Sequence, residues 1–213
     1  MKFDSEGYAV ALLSRSIEFS AKLAGQLSDA RVYSCDATDP DEVTKVLGEV
    51  AAHLGPTDVL LYNAGSGVFG TFEDVEAADL EQSWRVNTLG LFAAARAVTP
   101  AMKDKGSGAI IVTGATASLR GGARFAAFAQ AKAAQRNLVQ SMARHLWPQG
   151  IHVALMIIDG MIDLPRTRQR LPDAPNEKFL SPDAIAEAAW GLVSQHPSAW
   201  TSELDLRPHV ESW

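Results

Sequence analysis

The apolar residues of this chain fall in short, nearly unbroken runs separated by longer stretches with helical spacing. The first run, Tyr8-Ala9-Val10-Ala11-Leu12-Leu13, ends in Ser14-Arg15-Ser16. A run this short with no polar alternation predicts a strand covered on both faces. A helical stretch to about residue 27 follows, then a second strand over Arg31-Val32-Tyr33-Ser34-Cys35. Thr38 or Asp39 is placed to cap the next helix, with Pro40 in its first turn and Gly55-Pro56 at its end. Val59-Leu60-Leu61-Tyr62 predicts the third strand, which breaks into Asn63-Ala64-Gly65-Ser66-Gly67. One long helix is expected over residues 77–103. Ala109-Ile110-Ile111-Val112-Thr113 is the fourth strand, and an alanine-rich helix runs from Gly121-Gly122 to about Leu146, stopped by Pro148. Residues 151–158 form the fifth strand. A polar, proline-containing stretch, residues 161–180, reads as a flexible lid. Ser181-Pro182 then opens another helix, and a last strand lies within residues 201–206. This alternation predicts an α/β fold: one domain over residues 1–213, a mostly parallel, doubly wound sheet with helices on both faces.

Composition bounds the function without naming it. The 213 residues have the apolar and charged balance of an ordinary globular domain. Net charge is −6 and the basic residues are scattered, so neither nucleic acid nor an anionic membrane is expected as a partner. Asp4 and Glu6 ahead of one short apolar run resemble neither a signal peptide nor a membrane span. Cys35 is the only cysteine, which excludes an internal disulfide and suits a cytoplasmic location. The five histidines are scattered, and no metal is expected.

Ligands of a doubly wound sheet bind beyond the carboxyl ends of its strands. The segments there are Ser14-Arg15, Asp36-Ala37, Asn63-Ala64-Gly65, Gly114-Ala115-Thr116 and Asp159-Gly160. On the alanine-rich helix Phe128 precedes Lys132 by four residues, so the ring and the ammonium lie one above the other and can address one ligand. Taken alone, the pair also reads as a core aromatic and a snorkelling lysine. Asp36, Asn63-Ala64-Gly65, Asn87 in the long helix and the Phe128-to-Lys132 spacing, in that order, resemble the short-chain dehydrogenase/reductase family over nearly the whole chain, residues 8–206.

The resemblance implies a Rossmann-type sheet and an oxidoreductase that reduces a carbonyl or oxidises an alcohol of a small-molecule substrate. It implies that Asn63, Ala64 and Gly65 line a nicotinamide dinucleotide, that Asp36 and Ala37 lie beside its adenine, and that Lys132 binds the nicotinamide ribose. Asn87 would hold a water in a proton relay, or stand as a polar residue at a helix kink. Arg15 lies where such folds read the adenosine ribose. A guanidinium there suits a 2′-phosphate, which makes NADP the expected cofactor; a solvated turn charge is the other reading. The family commonly assembles through its two long helices, so a homodimer or homotetramer is expected through residues 77–103 and 122–146. Trp200, Arg207-Pro208-His209 and Trp213 either dock on a partner subunit or pack on their own domain.

Three departures from the family pattern modify this picture. Members begin with a strand and a glycine-rich turn whose backbone amides take the pyrophosphate. Here Phe3-Asp4-Ser5-Glu6-Gly7 resembles the end of the helix that follows, so the usual first strand and glycine-rich turn are expected to be lacking. Two apolar strands would be left with unpaired edges. A start codon assigned too late, a truncated product, and a rearranged sheet in which residues 8–13 pair with Val59–Tyr62 all stay open. Second, Phe128 replaces the family's tyrosine, its general acid or base. Third, Ala115 replaces the serine that hydrogen-bonds the substrate oxygen. Such groups contribute about 10² to 10⁴-fold and about 10² to 10³-fold. Thr116 and Ser118 offer substitute hydroxyls, or else satisfy local backbone groups. Tyr62 reads as a packing residue and Asp159 as a turn residue. The expectation is an NADP(H)-linked oxidoreductase working weakly or differently through Asn87, Lys132 and Thr116; the alternative is a non-catalytic binding or oligomerising protein of the same fold.

Overall fold

The structure, a computed structural model, describes residues 1–211; Trp213 lies outside the described residues. One helical turn, α1 (Lys2–Ser5), leads into β1 (Val10–Ser14), α2 (Ile17–Ala24), β2 (Ala30–Ser34), α3 (Pro40–Leu54) and β3 (Val59–Tyr62). Then come α4 (Ala77–Trp84) and α5 (Gly90–Lys105), joined by a π-helical turn at Arg85–Leu89, followed by β4 (Gly108–Ala115), α6 (Ala126–Leu146) and β5 (Ile151–Ile158). The chain continues through β6 (Met161–Ile162), α7 (Pro165–Arg170), β7 (Phe179–Leu180), α8 (Pro182–Val193) and β8 (Glu203–Leu206).

β4 and β5 show why the apolar runs are continuous. Successive side chains of a strand point to opposite faces, and here both faces are covered. Ile110 and Val112 belong to the layer with Val43 and Val46 of α3, Leu91 and Val98 of α5 and Val139 of α6. Ala109 and Ile111 belong to the other layer, with Ala189 and Leu192 of α8. All eight residues of β5 are buried. The helices follow from local chemistry in the same way. Asp39 caps α3 by accepting from the Asp41 and Glu42 amides, Pro40 fills its first turn, and Val43, Val46, Leu47 and Val50 make its buried stripe. Arg136 of α6 grips Glu203 of β8 through two bonds of 2.8 and 2.9 Å, and Gln140 adds a third of 2.8 Å.

Every paired strand is parallel to its neighbour. The main sheet has the order β3-β4-β5-β8, and β1-β2 forms a separate pair. β1 and β3 do not pair. Between them lies an open slot of about 1140 Å³, with Val10, Ala11 and Leu13 on one side and Val59, Leu60 and Leu61 on the other. The first strand is therefore not covered as its pattern predicts: no residue of β1 is buried, and Leu13 and Leu61 are 36% and 43% exposed. Direct pairing of residues 8–13 with Val59–Tyr62 is not the arrangement adopted. Tyr8 instead leaves the strand and packs edge-on against Phe3 and Trp190.

One further expectation is corrected, and two other segments take definite places. The helix over residues 77–103 is not one α-helix, because the Tyr62 hydroxyl donates to the Val86 carbonyl and Gln135 donates to that of Asn87. Side chains that claim backbone carbonyls in this way accompany a local change of helical pitch. Residues 161–180 carry regular structure: β6 pairs with β7, and Arg168 bonds both carboxylate oxygens of Asp163 at 2.7 Å while its guanidinium lies 3.9 Å from the centre of the Phe179 ring. The carboxyl-terminal residues pack on their own domain. Trp200 stacks on His152 at 4.8 Å, Pro208 is buried, and Arg207 pairs with Asp159 and Asp205. No helix among the described residues is long and apolar enough to cross a membrane.

Candidate functional site

The carboxyl ends of β1, β2 and β3 open on one mouth of the slot. Arg15, Asp36, Ala37, Asn63, Ala64 and Gly65 all line it. Arg15 is exposed, while Asp36 accepts from the Thr38 amide at 2.9 Å. That backbone bond holds the Asp36 carboxyl below the usual carboxylate range, and the positive charge of Arg15 adds to it. Tyr62 is buried and donates to Val86, so its role is packing and fixing the π-helical turn; burial raises its pKa. Gly90 permits this approach, since a Cβ there would meet the Ala37 carbonyl and the Tyr62 hydroxyl.

A second set of groups converges on Gly65 from the helices. A Cβ on Gly65 would stand 3.5 Å from Asn87 Oδ1 and 3.7 Å from Lys132 Nζ. Asn87 lies in the π-helical turn, fully buried, and its Nδ2 donates to the carbonyls of Ser66 at 2.6 Å and Ser83 at 2.8 Å. Its Oδ1 has no partner among the described residues. A buried acceptor left open is unusual and marks a place for a donor such as water. Lys132 Nζ donates to the Thr113 carbonyl at 2.9 Å and to Gln135 Oε1 at 3.0 Å, and Gln135 Nε2 donates to the Asn87 carbonyl at 2.7 Å. Lysine and asparagine are thus tied together through Gln135, which is wholly buried. Burial pushes the Lys132 pKa down to about 8 from an ordinary 10.5.

Phe128 lies beside this network, its ring centre 5.9 Å from Lys132 Nζ and 5.7 Å from the Phe69 ring. Phe125 completes the aromatic group, 5.3 Å from Phe69. The segment after β3 is stitched to the start of α6 by a bridge between Gly70 and Phe125, which presses Gly67 onto Phe128. A Cβ at Gly67 would stand 2.4 Å from Phe128 Cδ2 and 2.8 Å from its Cβ, too close for the ring alone to yield. Gly67→Ala is therefore expected to cost about 1–3 kcal/mol in urea unfolding, with most of the loss recovered in Gly67→Ala/Phe128→Ala.

Ala115 ends β4 and carries no hydroxyl to this place. The two neighbouring hydroxyls, Thr116 Oγ1 and Ser118 Oγ, are buried and have no partner among the described residues. The reading that they satisfy local backbone groups is therefore corrected. Asp159 extends the pairing of β5 with β8, its amide donating to the Leu206 carbonyl, and Arg207 Nη1 faces its Oδ2 at 3.1 Å. That contact is a charge pair without hydrogen-bond alignment, since the same oxygen has no directed donor.

The structure thus gathers Arg15, Asp36, Ala37, Asn63, Ala64 and Gly65 at the slot mouth, and Asn87 and Lys132 around Gly65 from the helix side. Sequence reasoning missed Gln135, the π-helical turn and the Phe69–Phe125 contact. Gln135 carried one usable signal, since a residue three positions after Lys132 shares its helix face.

Residues 1–174 match the family described as short chain dehydrogenase. The chain is similar to a protein of Xanthobacter autotrophicus named inactive 2-(S)-hydroxypropyl-CoM dehydrogenase 2, with 30% identity over 88% of each chain. Among solved structures it resembles a short-chain dehydrogenase from Rhodopseudomonas palustris, at 37% identity and a TM-score of 0.83, covering 98% of this chain and 90% of that one. An alcohol dehydrogenase from the archaeon Thermococcus sibiricus, complexed with 5-hydroxy-NADP, superposes with a TM-score of 0.87 at 26% identity, covering 99% of this chain and 90% of that one.

Proposed function

Because this chain belongs to the short-chain dehydrogenase family, we propose that it is an NADP(H)-linked oxidoreductase acting on a carbonyl or alcohol, with a proton path that uses no tyrosine. The observation that carries this reading is the buried, open Oδ1 of Asn87 facing Gly65 together with Lys132. A bound nicotinamide dinucleotide supplies the hydride; the residues of this chain bind, orient and move a proton. Two of the three N–H bonds of the Lys132 ammonium are taken by Thr113 and Gln135, and the third is left for a ribose hydroxyl or a water shared with Asn87. With a pKa near 8, this ammonium gives up a proton more readily than an ordinary lysine. Carbonyl reduction consumes one hydride and one proton. The proton reaches the substrate oxygen from Lys132 through that water, while Thr116 offers a hydroxyl in place of the one Ala115 lacks.

Arg15 supports NADP over NAD, because a guanidinium at the slot mouth suits a 2′-phosphate. The residues present fit the adenosine and nicotinamide-ribose ends of the dinucleotide. They fit the pyrophosphate less well, because the glycine-rich turn that takes it in this family follows the first strand, and among the described residues no strand stands between β1 and β3 to present one. The reading is tested by titrating the folded protein with NADPH and NADH by calorimetry. Tighter binding of NADPH is expected, and Arg15→Glu is expected to weaken it about tenfold while leaving NADH less affected. Absence of binding to either dinucleotide, or an Arg15→Glu protein that still prefers NADPH, would falsify it.

A second reading, a non-catalytic member that keeps the fold for binding or for assembly as a homodimer or homotetramer, is favoured by one observation. Neither Phe128 nor Ala115 has a group that can transfer a proton. The similar Xanthobacter protein is also named inactive. Dinucleotide binding without NADPH consumption over a broad carbonyl panel would favour this second reading.

A further inference from the structure

Gln135 stands on the buried stripe of α6, among Ala127, Ala131 and Val139, where an apolar side chain would leave no polar group to satisfy. A wholly buried amide is tolerated in such a place only if its atoms are bonded. Both ends of this one are, and its partners dictate its orientation. The Lys132 ammonium can only donate, so Oε1 faces it, at 3.0 Å; the Asn87 carbonyl can only accept, so Nε2 faces that, at 2.7 Å. The Asn87 amide is fixed likewise. Its Nδ2 serves the Ser66 and Ser83 carbonyls, which leaves Oδ1 as the end turned to Gly65. Two bonds brace this frame from either side of Asn87: the Tyr62 hydroxyl donates to the Val86 carbonyl, and Thr88 Oγ1 donates to the Ala131 carbonyl at 3.1 Å.

These bonds give Lys132 a closed side and an open one. Of the three N–H bonds of its ammonium, Thr113 takes one at 2.9 Å and Gln135 another. The neutral amine keeps two N–H bonds and gains a lone pair, so the same two acceptors stay bonded once a proton has left. Only the third position changes, from N–H to lone pair. The groups that face Nζ are the Thr113 carbonyl, the Gln135 amide, the Phe128 ring and, across Gly65, Asn87 Oδ1. None of them is charged or titratable, and burial is the one resolved cause that lowers the Lys132 pKa. A peptide carbonyl and a carboxamide do not pass protons at neutral pH, so the closed side offers no exit.

We infer that Gln135 is a positioning residue for Lys132: its amide closes one side of the ammonium, ties it to the π-helical turn, and leaves a single N–H to exchange its proton at the place beside Gly65 shared with Asn87 Oδ1. Its part in turnover rests on the reductase reading above. There the Lys132 N–H bond breaks, the proton passes through the water to the substrate oxygen as the hydride reaches the carbon, and Lys132 is left as the neutral amine. The replacement proton returns from solvent by the way the first one left, so the path is one-ended.

NMR titration of Lys132 tests the inference on the 213-residue protein with isotope-labelled lysine, Lys132→Met identifying the signal. Gln135→Met keeps the shape and removes both bonds. Gln135→Glu keeps an acceptor for Lys132, now charged, and gives up the donor to Asn87. The wild-type signal is expected to titrate near pH 8. Gln135→Met is expected to titrate roughly one unit lower, because a buried ammonium has lost an acceptor, and Gln135→Glu above the wild type, because a carboxylate favours the ammonium. A role confined to packing would weaken both variants in urea without opposed shifts. Circular dichroism checks folding; if Gln135→Met does not fold, Gln135→Asn, one methylene too short to span both partners, takes its place. The reductive kcat is expected to fall as pH rises through the value that NMR gives for each protein. Lys132 titrating alike in all three proteins, or shifting the same way in both variants, overturns the inference, and a kcat profile that ignores the NMR values overturns the part in turnover. Opposed shifts without NADPH consumption by any of the proteins would support the positioning and overturn the reductase reading instead.

Discussion

Phe128→Tyr combined with Ala115→Ser is expected to raise kcat for carbonyl reduction by about 10² to 10⁴-fold at saturating NADPH. Phe128 already stands one helical turn before Lys132, with Nζ over its ring 5.9 Å from the centre, so a phenol there lies in the field of the ammonium, which favours the phenolate. Ala115 ends β4 immediately before Thr116, whose hydroxyl, like that of Ser118, is buried without a partner among the described residues. The single variants are each expected to gain less than their share, because groups acting as a unit are not additive. The measurement is steady-state NADPH consumption over ketones and aldehydes, with circular dichroism confirming equal folding. A folded, NADPH-binding double variant no faster than the wild type would show that the site has lost more than these two hydroxyls. If the wild type is inactive and the double variant active, the non-catalytic reading of the natural chain is the better one.

Lys132→Met carries the second large effect, and it separates activity from stability. In the reductive direction it is expected to lower kcat/KM by about 10² to 10⁴-fold, through loss of the ammonium that supplies the proton. Its pH signature follows from linkage. In the folded protein burial lowers the Lys132 pKa to about 8, against 10.5 when exposed. Below pH 8 both states hold the proton, and the folded protein bears the full cost of a buried charge. Between pH 8 and 10.5 the unfolded chain binds more protons than the folded one, so wild-type stability rises with pH relative to Lys132→Met. The relative gain is expected to approach about 3 kcal/mol by pH 10.5. The comparison must be made against the variant, because buried Cys35, with its pKa pushed up to about 11, works in the opposite direction over part of that range. Urea unfolding of both proteins at a series of pH values checks this. A constant difference across the range would mean that Lys132 titrates as an exposed lysine does.

Much of the site was legible because its parts are local. Asn63-Ala64-Gly65 follows an apolar run, and the turn after a parallel strand is where a doubly wound fold presents groups to a ligand. The Phe128–Lys132 pair was legible because residues four apart share a helix face. Gln135 was not singled out, since its importance comes from bonding Asn87 across 48 residues of sequence. The π-helical turn was only hinted at: Val86, Asn87 and Thr88 are weak helix formers and Asn87 could mark a kink, but the turn is accompanied by a tyrosine from β3 and a glutamine from α6, which no local pattern gives. Thr116 and Ser118 were misjudged for a related reason. A hydroxyl at a strand end usually finds a nearby backbone group, and only packing determined that these two do not.

What the sequence by itself determined is the order of the strands β1 to β5 and β8 and the helical type of the segments between them, the two-sided burial of β4 and β5, the capping of α3 by Asp39, and the absence of a phenol and a serine hydroxyl at Phe128 and Ala115. These follow from side-chain periodicity and from which atoms a residue possesses. Tertiary structure alone decided that β1 and β3 stand apart across a slot, that Asn87, Gln135 and Lys132 form one network, and that Gly67 is pressed on Phe128. Those depend on distances between segments far apart in the chain, and a pairing or a packing contact has no energy until both of its sides have been placed.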